Sequence, residues 1–330
     1  MSAQLCCCRD NNTITSMCIL FATRDHPNYE LIVISNRDEF FERETHITTW
    51  HDNNTVLSPY DLRTKKAGSA PDSFGTWIGM NRNGRVASLL NLKRDDLPST
   101  RSSKGKYSRG PIAQLFLSPK GRDMAPDFEE WDTYSKFEGI YPHITDSGEF
   151  NFFYGDVKRG EYRIIDSLGN TFDVLNKEDN KSLVVSNNRF DTSPSKEWKK
   201  VLRGRERLQE FIQRTSDVTN SNTMFDECFK LASEDSITGK VKTSLYRADP
   251  TVCFDSIFIP PLGDDGVADV GLTITKGEFY GTRSQMVILV SKNGGQVSVM
   301  ERILHTSDND IRSNSSEKPK TTVRYAFDIE

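Results

Sequence analysis

Apolar residues in this chain come mostly in short runs rich in β-branched and aromatic types, separated by clusters of Gly, Asn, Asp and Pro. "CILFAT" and "ELIVIS" flank the turn-like "RDHPNY", which predicts a hairpin whose second strand ends near Asn36. "TWIGMNRNGRVASLLN" places Asn83-Gly84 between two further strands, a turn that calls for positive φ. "FNFFYGD", "EYRIIDS", "SLVVSN", "DSIFIP", "EFYGT", "QMVILVS" and "QVSVMERIL" continue the pattern, with Asn293-Gly294-Gly295 turning the last pair.

Helical spacing is clearest over 196–213. Trp198, Val201, Leu202, Leu208, Phe211 and Ile212 share one face there, and Lys199, Arg203 and Glu210 share the other. Ser193 and Pro194 are expected as its N-cap and first residue. Shorter helices are expected from Pro111 and around Phe225, Cys228 and Phe229. Hairpins with helices between them predict an antiparallel α+β fold. Residues 1–16 read as a disordered leader, 17–304 as the domain, 305–320 as a polar linker and 321–330 as a strand returning to the domain.

Composition narrows the function. A chain of 330 residues, 35% hydrophobic and 10% aromatic, can fill a large core, and a net charge of −4 gives no overall attraction to nucleic acid. The basic stretches 63–66 and 101–109 read as solvated loops. No apolar run is long enough to span a membrane, and the leader lacks a secretory apolar segment. The six cysteines (6, 7, 8, 18, 228, 253) match neither a disulfide framework nor a zinc site, so a reducing compartment is expected. Palmitoylation of Cys6, Cys7 or Cys8 is conceivable, with the disordered leader as the plainer reading.

The candidate chemistry starts at Met17-Cys18. Were translation to begin at Met17 and that methionine to be clipped, Cys18 would carry a thiol and a free α-amine, and an amine of pKa near ~8 can take a thiol proton without a histidine. None of the five histidines is an obvious partner, and His46 and His51, five apart in a strand, should face opposite ways. Arg37 and Asp38 break the apolar pattern together, and at a strand-to-loop corner both could reach one pocket. Arg37 would hold an anionic substrate group or set the thiol's charge, and Asp38 would accept from the α-ammonium. An asparagine of Ser186-Asn187-Asn188 could donate to an oxyanion. Arg283, in "YGTRS", is a planar cation among strands. Each also has a plain structural reading: a buried thiol, a polar strand end, a turn asparagine, a surface arginine.

The motifs Met17-Cys18, Asn36-Arg37-Asp38-Glu39, Gly75-Thr76-Trp77-Ile78-Gly79, Ser108-Arg109-Gly110, Ser186-Asn187 and Tyr280-Gly281-Thr282-Arg283 occur in this order. The chain resembles the NRDE family, also called the transport and Golgi organization protein 2 family, from Met17 to about Arg302. That family is similar to N-terminal-nucleophile hydrolases, which implies a four-layer αββα sandwich of two antiparallel sheets flanked by helices. By resemblance to cysteine amidases of that class, Cys18 would be the nucleophile with its α-amine as base. Arg37 and Asp38 would be the pocket pair, Asn187 the oxyanion donor and Arg283 a second cation. The family's associations are Golgi organization, secretion, acyl-CoA metabolism and haem mobilisation. They imply a cytoplasmic protein that is Golgi-associated or mitochondrial, with a small amide, acyl-CoA or haem as ligand and no required cofactor. Amide or thioester hydrolysis and non-catalytic carriage of haem or an acylated ligand are the two activities implied.

Overall fold

The computed structural model describes residues 17–62, 75–92, 107–118, 131, 133–175, 181–191, 193–236, 252–262, 279–292, 295–312 and 315–330. The leader with Cys6, Cys7 and Cys8, the basic stretch 63–66, most of 101–109, and Asn293-Gly294 lie outside the described residues.

The strands are β1 (Ile19–Thr23), β2 (Tyr29–Phe40), β3 (Thr45–His51), β4 (Val56–Asp61), β5 (Ile78–Asn81), β6 (Arg85–Asn91) and β7 (Phe150–Asp156). After them come β8 (Glu161–Asp166), β9 (Thr171–Val174), β10 (Ser182–Val185), β11 (Tyr280–Ser291), β12 (Gln296–Ile303) and β13 (Thr321–Asp328). They form two sheets with antiparallel pairing throughout, in the orders β10-β1-β2-β11-β12-β13 and β3-β4-β5-β6-β7-β8-β9. The helices are α1 (Gly110–Leu117), α2 (Tyr134–Ile140), α3 (Lys199–Thr215), α4 (Ser221–Ala232) and α5 (Val252–Asp255).

Alternation along the strands builds the layers. In the first sheet Leu20, Ala22, Leu31, Val33, Met286 and Ile288 point to a core shared with Leu57, Met80, Val86, Phe153 and Ile164 of the second. Ile19, Phe21, Ile32, Ile34, Val287 and Leu289 point the other way, onto Val201, Leu208 and Phe211 of α3 and Phe225 and Phe229 of α4. The second sheet's outer face meets Ile112 and Phe116 of α1 and Phe137 of α2. The order helix, sheet, sheet, helix is the expected four-layer αββα sandwich. Strands covered on both faces need near-continuous apolar runs, hence "LIVI" and "MVILV".

Several local expectations change. β2 continues past Asn36 to Phe40. "EFYGT" and "QMVILVS" merge into β11, whose pairing with β2 slips between Thr282 and Ser284 so that Arg283 sits in a bulge. "DSIFIP" forms no strand of its own; it follows α5 and bonds to the start of β11 through Thr282 N–H to Ile259 O (2.8 Å). α3 begins at Lys199 after a 3-10 turn at Pro194–Lys196, and Leu202 is exposed. In β3 a pairing irregularity between His46 and Thr49 breaks the alternation, so both His46 and His51 approach Tyr60, at centroid distances of 4.5 and 6.3 Å.

The Asn83-Gly84 turn carries Gly84 at φ +93°. β13 pairs with β12 along its whole length. In the 305–320 stretch, His305 is buried and stacks on Phe41 (4.1 Å), and the Asp310 carboxylate accepts from Thr306 N–H (2.6 Å) and from Lys320 Nζ.

Two motif glycines set a close contact beside the site. A Cβ on Gly75 would lie 2.6 Å from Gly110 Cα, and Thr76 N–H donates to Gly110 O (3.3 Å), so the Gly-Thr-Trp and Ser-Arg-Gly motifs meet backbone to backbone. Neither partner can swing aside. Gly75→Ala is therefore expected to cost at least roughly 1–3 kcal/mol in urea unfolding. Gly110→Ala should behave alike, and the double variant should fall short of the sum because both methyl groups invade one gap.

Candidate functional site

Cys18 lies one residue before β1, buried at 8% exposure, with its side chain in the layer between the sheets. Two pairings carry it between partners. β1 and β2 pair Ile19 with Asn36, and the next step brings Cys18 opposite Arg37. β1 and β10 pair Leu20 with Val185, and two steps on bring Cys18 opposite Asn187, a register held by Ser186 Oγ donating to Cys18 O (2.6 Å). Thiol, guanidinium and amide thus stand in one row across three adjacent chain segments.

The Asn-Arg-Asp-Glu motif divides by alternation. Asn36 and Asp38 face the helices. Asn36 Nδ2 donates to Ala232 O (2.8 Å), the last carbonyl of α4, and to Ile257 O (2.9 Å), so this residue closes a helix end. Arg37 and Glu39 face the second sheet. Arg37 is 5% exposed, its guanidinium lies 4.3 Å from the Trp77 ring centroid, and one nitrogen is 3.5 Å from Glu39 Oε2. Its other terminal nitrogen, Nη1, is buried with no hydrogen-bond partner. Glu39 also pairs with Arg43 (3.1 Å), which in turn holds Asp61 (2.5 Å).

Asp38 is the residue for which the strand-end picture fails. Because β2 runs on as regular strand, Arg37 and Asp38 alternate onto opposite faces of the sheet. The Asp38 carboxylate, fully buried, accepts from Thr282 Oγ1 (2.7 Å) and lies 3.8 Å from Lys200 Nζ, itself fully buried on α3. Lys200 Nζ donates to Met17 O. Met17 N–H donates to the Tyr280 oxygen (2.8 Å), and the Tyr280 hydroxyl donates to Asp38 O (3.3 Å). Asp38, Lys200 and Tyr280 therefore surround the peptide that precedes Cys18. Burial pushes the Asp38 carboxyl up to about 6 against the pull of Lys200, and burial pushes the Lys200 ammonium down against the pull of Asp38.

Asn187 is fully buried; its Nδ2 donates to Asn91 O, and its Oδ1 meets no donor. The bulge gives Arg283 its own position. Its Nε donates to Phe41 O (3.2 Å) and Nη1 to Thr45 Oγ1 (2.7 Å), and burial, then the nearby Arg37, lower it to about 10. Arg109, whose Nη1 donates to Glu149 O (2.8 Å), is lowered to about 10 by burial and then by Arg43. The register thus aligns positions 18, 37 and 187, Arg283 lies near Arg37, and Asp38 lies on the face turned to the helices, beside the peptide that precedes Cys18.

Among the described residues no group of His, Cys, Asp and Glu is placed to hold a metal ion. Sequence reasoning missed Lys200 and Trp77. Lys200, Gly204, Leu208, Phe211 and Thr215 form one buried stripe at helical spacing, so a lysine heading an apolar stripe was a readable signal.

The register that aligns three of the separated motifs accords with the family comparison, in which the Transport and Golgi organisation 2 model matches residues 17–306. The chain belongs to the Transport and Golgi organisation 2 family. Proteins similar to it include an uncharacterized Saccharomyces cerevisiae protein, 44% identical over 322 residues and covering 95% of this chain and 100% of that one. The Bos taurus transport and Golgi organization protein 2 homolog is 25% identical over 303 residues, 88% of this chain and 95% of its own. Among solved structures, the Caenorhabditis elegans ortholog of N-acylethanolamine-hydrolyzing acid amidase aligns with a TM-score of 0.41 at 13% identity, over 67% of this chain and 88% of that one. Penicillin V acylase from Agrobacterium tumefaciens aligns at 0.34 and 10%, over 86% and 82%. The family match begins at Met17, the residue bonded to Tyr280 and Lys200, so the family's shared region opens at this site.

Proposed function

We propose that this Transport and Golgi organisation 2 family member hydrolyses a small amide or thioester at Cys18, in the service of secretory-pathway organisation. The observation that carries the reading is the row Arg37, Cys18, Asn187 on one face of one sheet. With residues 1–17 absent, by a start at Met17 and its removal or by cleavage of the leader, the α-amine of Cys18 takes the thiol proton, and the sulfur adds to the substrate carbonyl. Arg37 favours the thiolate by its charge, and Asn187 Nδ2 is the candidate donor to the oxyanion. The tetrahedral adduct expels the amine or thiol, which leaves with the proton held by the α-amine. Water then releases the acid from the acyl-cysteine. The buried, undonated Oδ1 of Asn187 favours the amide, whose N–H it can receive.

The names of its relatives support the secretory role. We place the protein in the cytoplasm with peripheral attachment to the Golgi; among the described residues no helix is long and apolar enough to cross a membrane. Incubation with p-nitrophenyl acetate is expected to add one acetyl group, mapped by peptide mass to Cys18, with a burst of nitrophenol equal to the enzyme present. Labelling of Cys228 or Cys253 in its place would refute the assignment.

A further inference from the structure

Arg37 has more charge and more donors than its surroundings use. Its nearest carboxylate, Glu39, is shared with Arg43, which holds it more closely, at 3.1 against 3.5 Å. Asp61 is bound to Arg43, and Glu301 Oε2 accepts from Thr48 N–H and Oγ1, both at 2.7 Å. The neighbouring Arg283 bonds to a neutral carbonyl and a hydroxyl and adds to the positive field. Nη1 of Arg37 is buried and has no hydrogen-bond partner among the described residues, and the guanidinium carbon lies over the Trp77 ring at 4.3 Å. A buried guanidinium donor left unmatched is costly, and a carboxylate or phosphate oxygen matches it best. Arg37 and Cys18 both keep a sliver of exposure, at 5% and 8%, while Asn187 has none.

We infer that Arg37, lying over the Trp77 ring and aligned by register with Cys18, is an anion subsite, and that the ligand of this site carries a carboxylate or phosphate group close to the bond presented to the thiol. The position of that bond rests on the hydrolase reading; the anion subsite does not. Two probes separate the sources of the anion: glutarate for a carboxylate and inorganic phosphate for a phosphoryl group.

Titration calorimetry of the full chain with each probe is expected to give saturable binding for one of them, weakened at least tenfold in Arg37→Met and partly restored in Arg37→Lys. Arg43 keeps Glu39 paired in Arg37→Met, so the variant is expected to fold, with its thermal midpoint as the check. Should it not fold, Trp77→Leu replaces it and is expected to weaken binding severalfold by freeing the guanidinium. Absence of binding for both probes, or equal affinity in wild type and variant, would overturn the subsite. Because no turnover is needed, either outcome is independent of whether Cys18 forms an acyl adduct.

Discussion

Cys18→Ser is expected to lose ester and amide turnover by at least about a thousandfold, the scale on which removal of a catalytic nucleophile acts. Serine exchanges the sulfur for a smaller oxygen and keeps the backbone carbonyl that Ser186 Oγ binds, so the unfolding midpoint in urea should stay close to wild type. The hydroxyl is a far weaker acid than the thiol, and an α-amine of ordinary strength cannot ionise it appreciably. Steady-state rates on a chromogenic ester, with unfolding curves on the same preparations, decide the matter. Unchanged turnover in this variant would show that the sulfur takes no part in the chemistry.

Lys200→Met should be the most destabilising single substitution near the site. Lys200 and Asp38 are both fully buried and 3.8 Å apart, and removing one member of such a pair strands the other, at a cost of roughly 3–5 kcal/mol. The deficit should depend on pH with a defined sign. Asp38 is raised to about 6 while Lys200 still attracts its ionised form, and without that attraction it rises further. A carboxyl whose folded pKa lies above its unfolded value stabilises the fold when protonated, and that contribution fades as pH climbs from about 4 past the folded pKa. Urea unfolding of the variant against wild type should therefore show a smaller gap at pH 5 than at pH 8. A gap that is flat, or larger in acid, would mean that Asp38 is not the group left unpaired.

Much of this architecture was readable from pattern alone. Fully buried strands announce themselves as "LIVIS" and "QMVILVS", and the turn glycine Gly84 ended one hairpin where expected. What periodicity could not supply was the length of β2. Asn36 to Glu39 are polar, and polar runs normally end strands, yet here each finds a buried partner: a helix end for Asn36, an aromatic ring for Arg37, an ammonium for Asp38, two guanidinium groups for Glu39. That is why Arg37 and Asp38 separate onto two faces. The bulge that places Arg283 was equally invisible, since it depends on the pairing between β2 and β11, far apart in sequence. β4 was obscured by Pro59, which is tolerated where the ladder with β3 is irregular. Lys200 was missed because its neighbours Lys199 and Arg203 look like an ordinary polar helix face, although its own stripe is buried.

The central claim is that residue 18 works through its sulfur and its own α-nitrogen together. Intact-mass measurement of the protein purified from its native cell, on the same sample that forms the acyl adduct, tests it most directly. A reactive species whose mass begins at Cys18 is the predicted result. A reactive species that still carries Met17, its nitrogen tied to Tyr280 and its carbonyl to Lys200, would contradict it.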